Sequence, residues 1–329
     1  MSKQEVSAVG NRIEKGDNPT LKKKKRNVNT TAITGVRCFM MSAIALGHMN
    51  MYYGINNVSD LVDLGGGPAV ACFFVVSGFL ISVAYGDKDF SKSHERSNFW
   101  GKRFARLAPL YYLSLAFSFS NILKFGTDIV QPIYTWVIVV PLTITCLQSW
   151  FLGILAGSWN GVLWSVSTIV YFYMRFPYLV SRIKSWKNVD RALSILAVIE
   201  ALKFVASEVP GVGPLNWFIL RAFPPAAMPI FLIGTIVGLR RASTSTPAPN
   251  SPERVFWARR ADILGVVLSL AASLVWWINQ HPGRFAPSDK LWTVSWRTRW
   301  VFEALIPLPF ALFLEALTMA TDASVAWQV

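Results

Sequence analysis

The chain alternates between long apolar runs and short polar blocks that are mostly basic. Apolar runs near the length of a membrane span fall at about 33–53, 67–85, 105–123, 132–152, 161–181, 191–207, 222–239, 262–279 and 301–319. No stretch alternates with the period of a barrel strand, so each run is predicted to be a helix that satisfies its own backbone hydrogen bonds in lipid. The expected fold class is all-α, a polytopic transmembrane helix bundle of about eight or nine spans. Residues 1–32 are polar and include the cluster Lys22 to Arg26, which predicts a disordered basic cytoplasmic tail ahead of a membrane domain over 33–329. Gly234 and Gly238 have the small-xxx-small spacing that lets helices approach closely, and Ser243 to Pro252 reads as a loop.

The basic blocks also bear on topology. Lys and Arg collect before residue 30 and at 102–106, 182–191 and 240–260, the positions expected of cytoplasmic loops. Two loops on one side must be separated by an even number of crossings, yet three apolar runs lie between 104 and 182. The run at 132–160, interrupted by Pro132, Pro141, Gly153 and Gly157, is the one expected not to cross fully.

Composition agrees with this picture. Of 329 residues, 53% are hydrophobic and 15% charged, whereas soluble domains carry about a quarter charged residues. A net charge of +14 raises nucleic acid as a partner. Its distribution into loop-sized blocks argues against that reading and for the lipid bilayer. Cys38, Cys72 and Cys146 are odd in number and lack ligand spacing, so neither a disulfide framework nor a metal site is expected.

Within the first run, Arg37 and His48 lie eleven residues apart. Eleven steps nearly close three helical turns, which puts both side chains on one face, roughly 16 Å apart along the axis. Ionisable groups in a span point at a cavity or a partner rather than at lipid. Arginine suits an anion and histidine suits general-base work. Further along, Ser77-Gly78 suits close helix packing, with Ser77 as a candidate hydroxyl. Lys102, Arg103 and Arg106 form a basic cluster at a membrane entry. Trp164, Ser165 and Tyr173 belong to an aromatic-rich segment. Each has a plain alternative reading as an anchor, a packing residue or an interfacial belt.

Taken in order, these segments resemble acyltransferase family 3, the integral membrane O-acyltransferases that include O-antigen acetylases and the nose-resistant-to-fluoxetine group. The resemblance rests on Arg37 and His48 in the first span, and on Phe73, Phe74, Ser77, Gly78 and Phe79 in the second. It continues through Lys102, Arg103, Arg106, Pro109 and Tyr111, then Trp164, Ser165, Ser167, Tyr173, Phe176 and Pro177, and the run Phe231 to Gly238. It covers about 33–240 and makes 33–329 an expected acyltransferase domain. It implies transfer of an acyl group, with acetyl expected, from acyl-CoA to a hydroxyl of a glycan, lipid or small molecule, without a metal. Arg37, Lys102, Arg103 and Arg106 would hold the donor and His48 would act as base. Ser77, Trp164, Ser165 and Tyr173 would shape the cavity.

This chain departs from the family pattern at Ile169, and at Ala71 and Cys72, where many members carry carboxylates; it also ends at Val329, where a further span is expected. A transporter with Arg37 and His48 along a substrate path, and an inactive family member, are the competing readings. The first lacks the internal repeats common in carriers. Of the other charged residues in apolar runs, Glu303 and Glu315 are expected near wet helix ends, and Arg175 and Glu200 are expected to pair across helices.

Overall fold

A computed structural model describes residues 28, 30–53, 67–120, 123, 135–151, 159–207, 220, 222–281, 284 and 301–321. Most of the tail expected over 1–32 lies outside the described residues. The described residues contain helices and turns but no strand, as the all-α expectation requires. The long helices among them are α1 (Thr31–Tyr53), α2 (Gly67–Tyr85), α3 (Ser93–Phe117), α4 (Trp164–Lys184), α5 (Val189–Ser207), α6 (Pro224–Ser243), α7 (Pro252–Gln280) and α8 (Pro307–Ala320). A helical turn at 301–305 precedes α8. α6, α7 and α8 each begin with proline, whose missing N–H is harmless in a first turn. The Ser251 side chain caps α7 by accepting from the Arg254 amide.

By length and composition, Gly67–Tyr85, Pro224–Ser243 and Pro252–Ile278 can cross a membrane; Thr31–Leu46 and Pro307–Ala320 are apolar but shorter. The first two form the buried centre, with 61% and 56% of their apolar windows buried, against 11% for the third. α7 therefore offers Ile263, Val266, Val267, Leu270 and Leu274 to its surroundings.

α2 and α6 run parallel and nearly touch. A Cβ added at Gly78, Gly234 or Gly238 would sit within 3.0 Å of the opposite backbone, at Phe231, Val75 and Phe79 respectively. The expected small-residue packing is thus present at all three positions. Around this pair runs a series of aromatic contacts. Phe172 of α4 stacks on Phe231 of α6 with centroids 4.6 Å apart and meets Phe74 of α2 edge-on at 5.2 Å; Phe176 stacks on Phe99 of α3 at 5.4 Å.

Helix directions follow from which residues meet. Trp100 donates to the Tyr173 carbonyl, while Tyr111 and Leu115 pack with Leu163, so α3 and α4 are antiparallel. Lys203 reaches the start of α6 and Asp190 its end, so α5 and α6 are antiparallel as well. Arg240 and Arg241 at the end of α6 bind Glu315 and Thr318 near the end of α8. Arg254 at the start of α7 donates to the Ala320 carbonyl. The blocks at 102–106, 182–191 and 240–260 therefore share one end of the bundle, here termed the basic end.

The apolar run at 132–152 is described at 135–151. Where described, it contains only short turns: a π-helical turn at Thr135–Val139, a helix at Val140–Ile144 and a 3₁₀ turn at Gln148–Trp150. It is not one continuous span. Buried hydrogen bonds hold it in place. The Tyr111 hydroxyl donates to the Thr143 carbonyl, Gln148 donates to the Leu163 carbonyl at 2.9 Å, and Ser149 donates to Ser167 at 2.6 Å.

Two other expectations fail. Glu303 and Glu315 are 9% and 4% exposed rather than wet. Both lie within the bundle, and Arg240 grips Glu315 with two bonds of 2.7 and 2.5 Å. Glu200 pairs with Lys203 of its own helix at 2.8 Å, one turn away, while Arg175 lies over the Tyr171 ring. A local partner is reached with less side-chain ordering than one across a helix gap.

Candidate active site

Near the basic end, side chains from α1, α3 and α4 converge. Arg37 of α1, half-buried, lies close enough to Arg106 and Tyr173 to interact electrostatically with both. Tyr173 of α4 in turn faces Arg37, Arg103 and Arg106, with Arg103 in hydrogen-bonding reach of its hydroxyl. The Arg103 guanidinium packs over three rings, at 4.6 Å from the Tyr85 centroid, 5.7 Å from Phe99 and 6.0 Å from Tyr173. These stacking contacts hold the plane of the cation while leaving its edge for hydrogen bonds. Its Nε is buried without a hydrogen-bond partner among the described residues.

Arg37, Arg103 and Arg106 have no carboxylate partner among the described residues. Three guanidinium groups brought together repel one another unless an anion joins them. Lys102, the fourth basic residue of the set, is exposed on α3.

His48 is half-buried on α1, about 16 Å beyond Arg37 along the helix. Among the described residues no hydrogen bond to its imidazole is seen.

The other candidates divide into two kinds. Ser77 donates to the Phe73 carbonyl at 2.8 Å and Ser165 to the Val162 carbonyl at 3.1 Å; both bonds are local to their own helical turns. Ser167, in the same Trp-Ser-x-Ser motif, ties chain segments together. It donates to the Cys146 carbonyl at 2.7 Å and accepts from Ser149. Trp164 lines a cavity at the end of the bundle opposite the basic end. This cavity of about 30 Å³ is bounded by Phe74 and Ala71 of α2, Glu200 and Lys203 of α5, and Glu303. The sequence reading marked Trp164 but not the charged group beside it. Its only forewarning was two carboxylates in apolar runs.

The fold is a helical bundle with apolar outer faces and a cluster of arginines around Tyr173 at one end. Residues 30–324 match the acyltransferase domain of acyltransferase family 3, and the chain belongs to that family. Among curated proteins it is 28% identical over 232 residues to Acyltransferase MdmB of Streptomyces mycarofaciens, covering 65% of this chain and 58% of that protein. It is 24% identical over 263 residues to Nodulation protein 10 of Rhizobium leguminosarum bv. viciae, covering 74% and 62%. A shorter match, 34% over 84 residues, covers 26% of this chain and 41% of Protein 2 in picA locus of Rhizobium radiobacter. The chain thus spans about three fifths of the length of the first two relatives. No solved structure matches it.

Proposed function

We propose that this chain is a multi-pass membrane O-acyltransferase whose basic end is cytoplasmic and whose donor is acyl-CoA, with acetyl as the acyl group. The observation that carries the reading is the convergence of Arg37, Arg103 and Arg106 on Tyr173 with no carboxylate to neutralise them among the described residues. Phosphates of the donor supply that missing charge, and guanidinium groups bind them in a fork. Lys102, exposed beside them, adds attraction at the entry. The eight long helices reverse direction in turn, so each is read as one crossing. The positive-inside rule then assigns the basic end to the cytoplasm.

The pantetheine arm runs from the arginines along α1 to His48, which explains the three turns between cation and base. His48 takes the proton of the acceptor hydroxyl as the oxygen attacks the thioester carbonyl carbon. The C–S bond breaks, and the departing thiolate receives that proton from the imidazole. The products are an ester and free CoA thiol, with no net change in protons. Thiolate is a good leaving group, so the step needs no metal.

The test compares acetyl-CoA with acetyl-pantetheine, which lacks the nucleotide phosphates, as donors for the full chain in nanodiscs. Label transfer or hydrolysis with acetyl-CoA, and a much higher KM for acetyl-pantetheine, is expected. No turnover of acetyl-CoA rejects the acyltransferase reading. Equal KM values reject the arginine clamp.

A further inference from the structure

Inside α4, Pro177 interrupts the ladder of backbone hydrogen bonds. A proline has no N–H, so the carbonyl four residues earlier loses its usual donor, and the ring crowds that carbonyl outwards. The carbonyl concerned is that of Tyr173, the residue on which Arg37, Arg103 and Arg106 converge. Within a membrane bundle an orphaned carbonyl is costly unless another group donates to it.

The donor comes from a neighbouring helix. The half-buried Trp100 of α3 gives its indole N–H to the Tyr173 carbonyl at 3.1 Å. The same indole is set against the Tyr178 ring, with centroids 6.3 Å apart. A tryptophan of an interfacial belt sits at the headgroup level with its polar edge wet. Trp100 instead turns its N–H inward, to a carbonyl that α4 cannot satisfy with its own ladder.

Placement gives this bond a function. Trp100 precedes Arg103 by three residues of α3, a rise of roughly 4.5 Å. Its neighbour Phe99 stacks on Phe176, the residue before Pro177, at 5.4 Å, and meets the Tyr173 ring edge-on at 6.4 Å. Arg103 in turn lies over the Phe99 and Tyr173 rings. One turn of α3 and one turn of α4 are thus joined by a backbone acceptor on one side and by stacked rings on the other. The Tyr173 side chain and the tied carbonyl leave the same residue, so the Trp100 bond helps to set where the phenol stands among the guanidinium groups.

We infer that Trp100 is a positioning residue of the donor site: its indole N–H replaces the donor that Pro177 removes, and so holds Tyr173 in register with Arg37, Arg103 and Arg106. What the cluster binds rests on the acyltransferase reading above; the tie between α3 and α4 does not.

Pro177 makes the role separable from simple packing. Trp100→Phe keeps an aromatic ring and removes the N–H. Pro177→Ala returns an amide to α4 that can donate to the Tyr173 carbonyl whether or not Trp100 does. Calorimetric titration of the full chain in nanodiscs with CoA gives affinity without turnover, and steady-state hydrolysis of acetyl-CoA gives KM and kcat. Trp100→Phe should weaken CoA binding and raise KM about fivefold, the scale of one lost hydrogen bond, with kcat nearly unchanged because His48 lies three turns away. In the Pro177→Ala background the same substitution should change either value less than about twofold, the non-additivity of a coupled pair. An equal loss in both backgrounds, no loss in either, or a lower melting temperature with CoA affinity unchanged overturns the proposal and leaves the donor reading standing. A chain that binds CoA in the expected pattern but never turns over acetyl-CoA keeps the role of Trp100 and rejects the acyltransferase reading. A wild-type chain that binds no CoA overturns both.

Discussion

Arg103 and Tyr85 are stacked across the α2–α3 corner, with the guanidinium carbon 4.6 Å from the ring centroid. The contact fixes Arg103 where α2 ends and aims it at Tyr173. Lysine has a compact charge that cannot both stack and fork. Arg103→Lys should raise the KM for acetyl-CoA about tenfold, a loss on the scale of a desolvated cation–π contact, with kcat nearly unchanged. Steady-state hydrolysis of acetyl-CoA provides the measurement, and a wild-type KM would refute the role.

His48→Ala should lower kcat by about 10²- to 10⁴-fold, the usual contribution of a positioned general base. Its KM for acetyl-CoA should change little, because the phosphates are held three turns away. Single-turnover transfer of labelled acetyl, alongside a check of folding by thermal melt, tests this.

Gly234→Val should destabilise the bundle by about 2 kcal/mol or more, since its Cβ meets the Val75 backbone, which cannot yield as a side chain can. Gly101→Ala on exposed α3 has open space around the new methyl and should be neutral or slightly stabilising. Melting temperatures in nanodiscs separate the two.

Ser167→Ala removes a hydroxyl that is both donor to the Cys146 carbonyl and acceptor from Ser149. The expected loss is about 1–3 kcal/mol, because the stranded partners stay buried. Ser165→Ala breaks only a bond within its own turn and should cost far less. Proteolysis near 146–150, faster in the Ser167 variant alone, reports the loosened strap.

In the α2–α3 turn, the Ser91 hydroxyl and amide both bond the Asp89 carboxylate and hold it below its ordinary value of 3.8. A depressed folded-state value means that this tie is complete above about pH 3.8 and is lost as pH falls through the lower folded value. Carboxyl NMR titration should therefore find the Asp89 midpoint below 3.8, and a midpoint at or above that value contradicts the tie.

Legibility in the sequence depended on how local the deciding physics was. Gly234 and Gly238 announced a close helix contact by spacing alone, and Pro141 flagged the apolar run whose described part is broken into short helical turns. Arg37, Arg103 and Arg106 were readable as cations in costly places, although nothing in their spacing gave Tyr173 as the meeting point. The Glu200–Lys203 pair has the one-turn spacing that lets a local partner win over one across a helix gap. Glu303 was the hardest. A carboxylate near the edge of an apolar run looks wet in one dimension, and only the packing of α2, α5 and the 301–305 turn around it shows that it is enclosed.

The α2–α6 contact also constrains how the protein is made. Its two halves are far apart in the chain, so α2 emerges from the ribosome long before the helix that will fill its glycine-lined groove. Until then, its small residues face lipid or a temporary neighbour. The centre of the bundle is therefore among the last regions to close, and a chain interrupted before Pro224 would be left with its keystone missing.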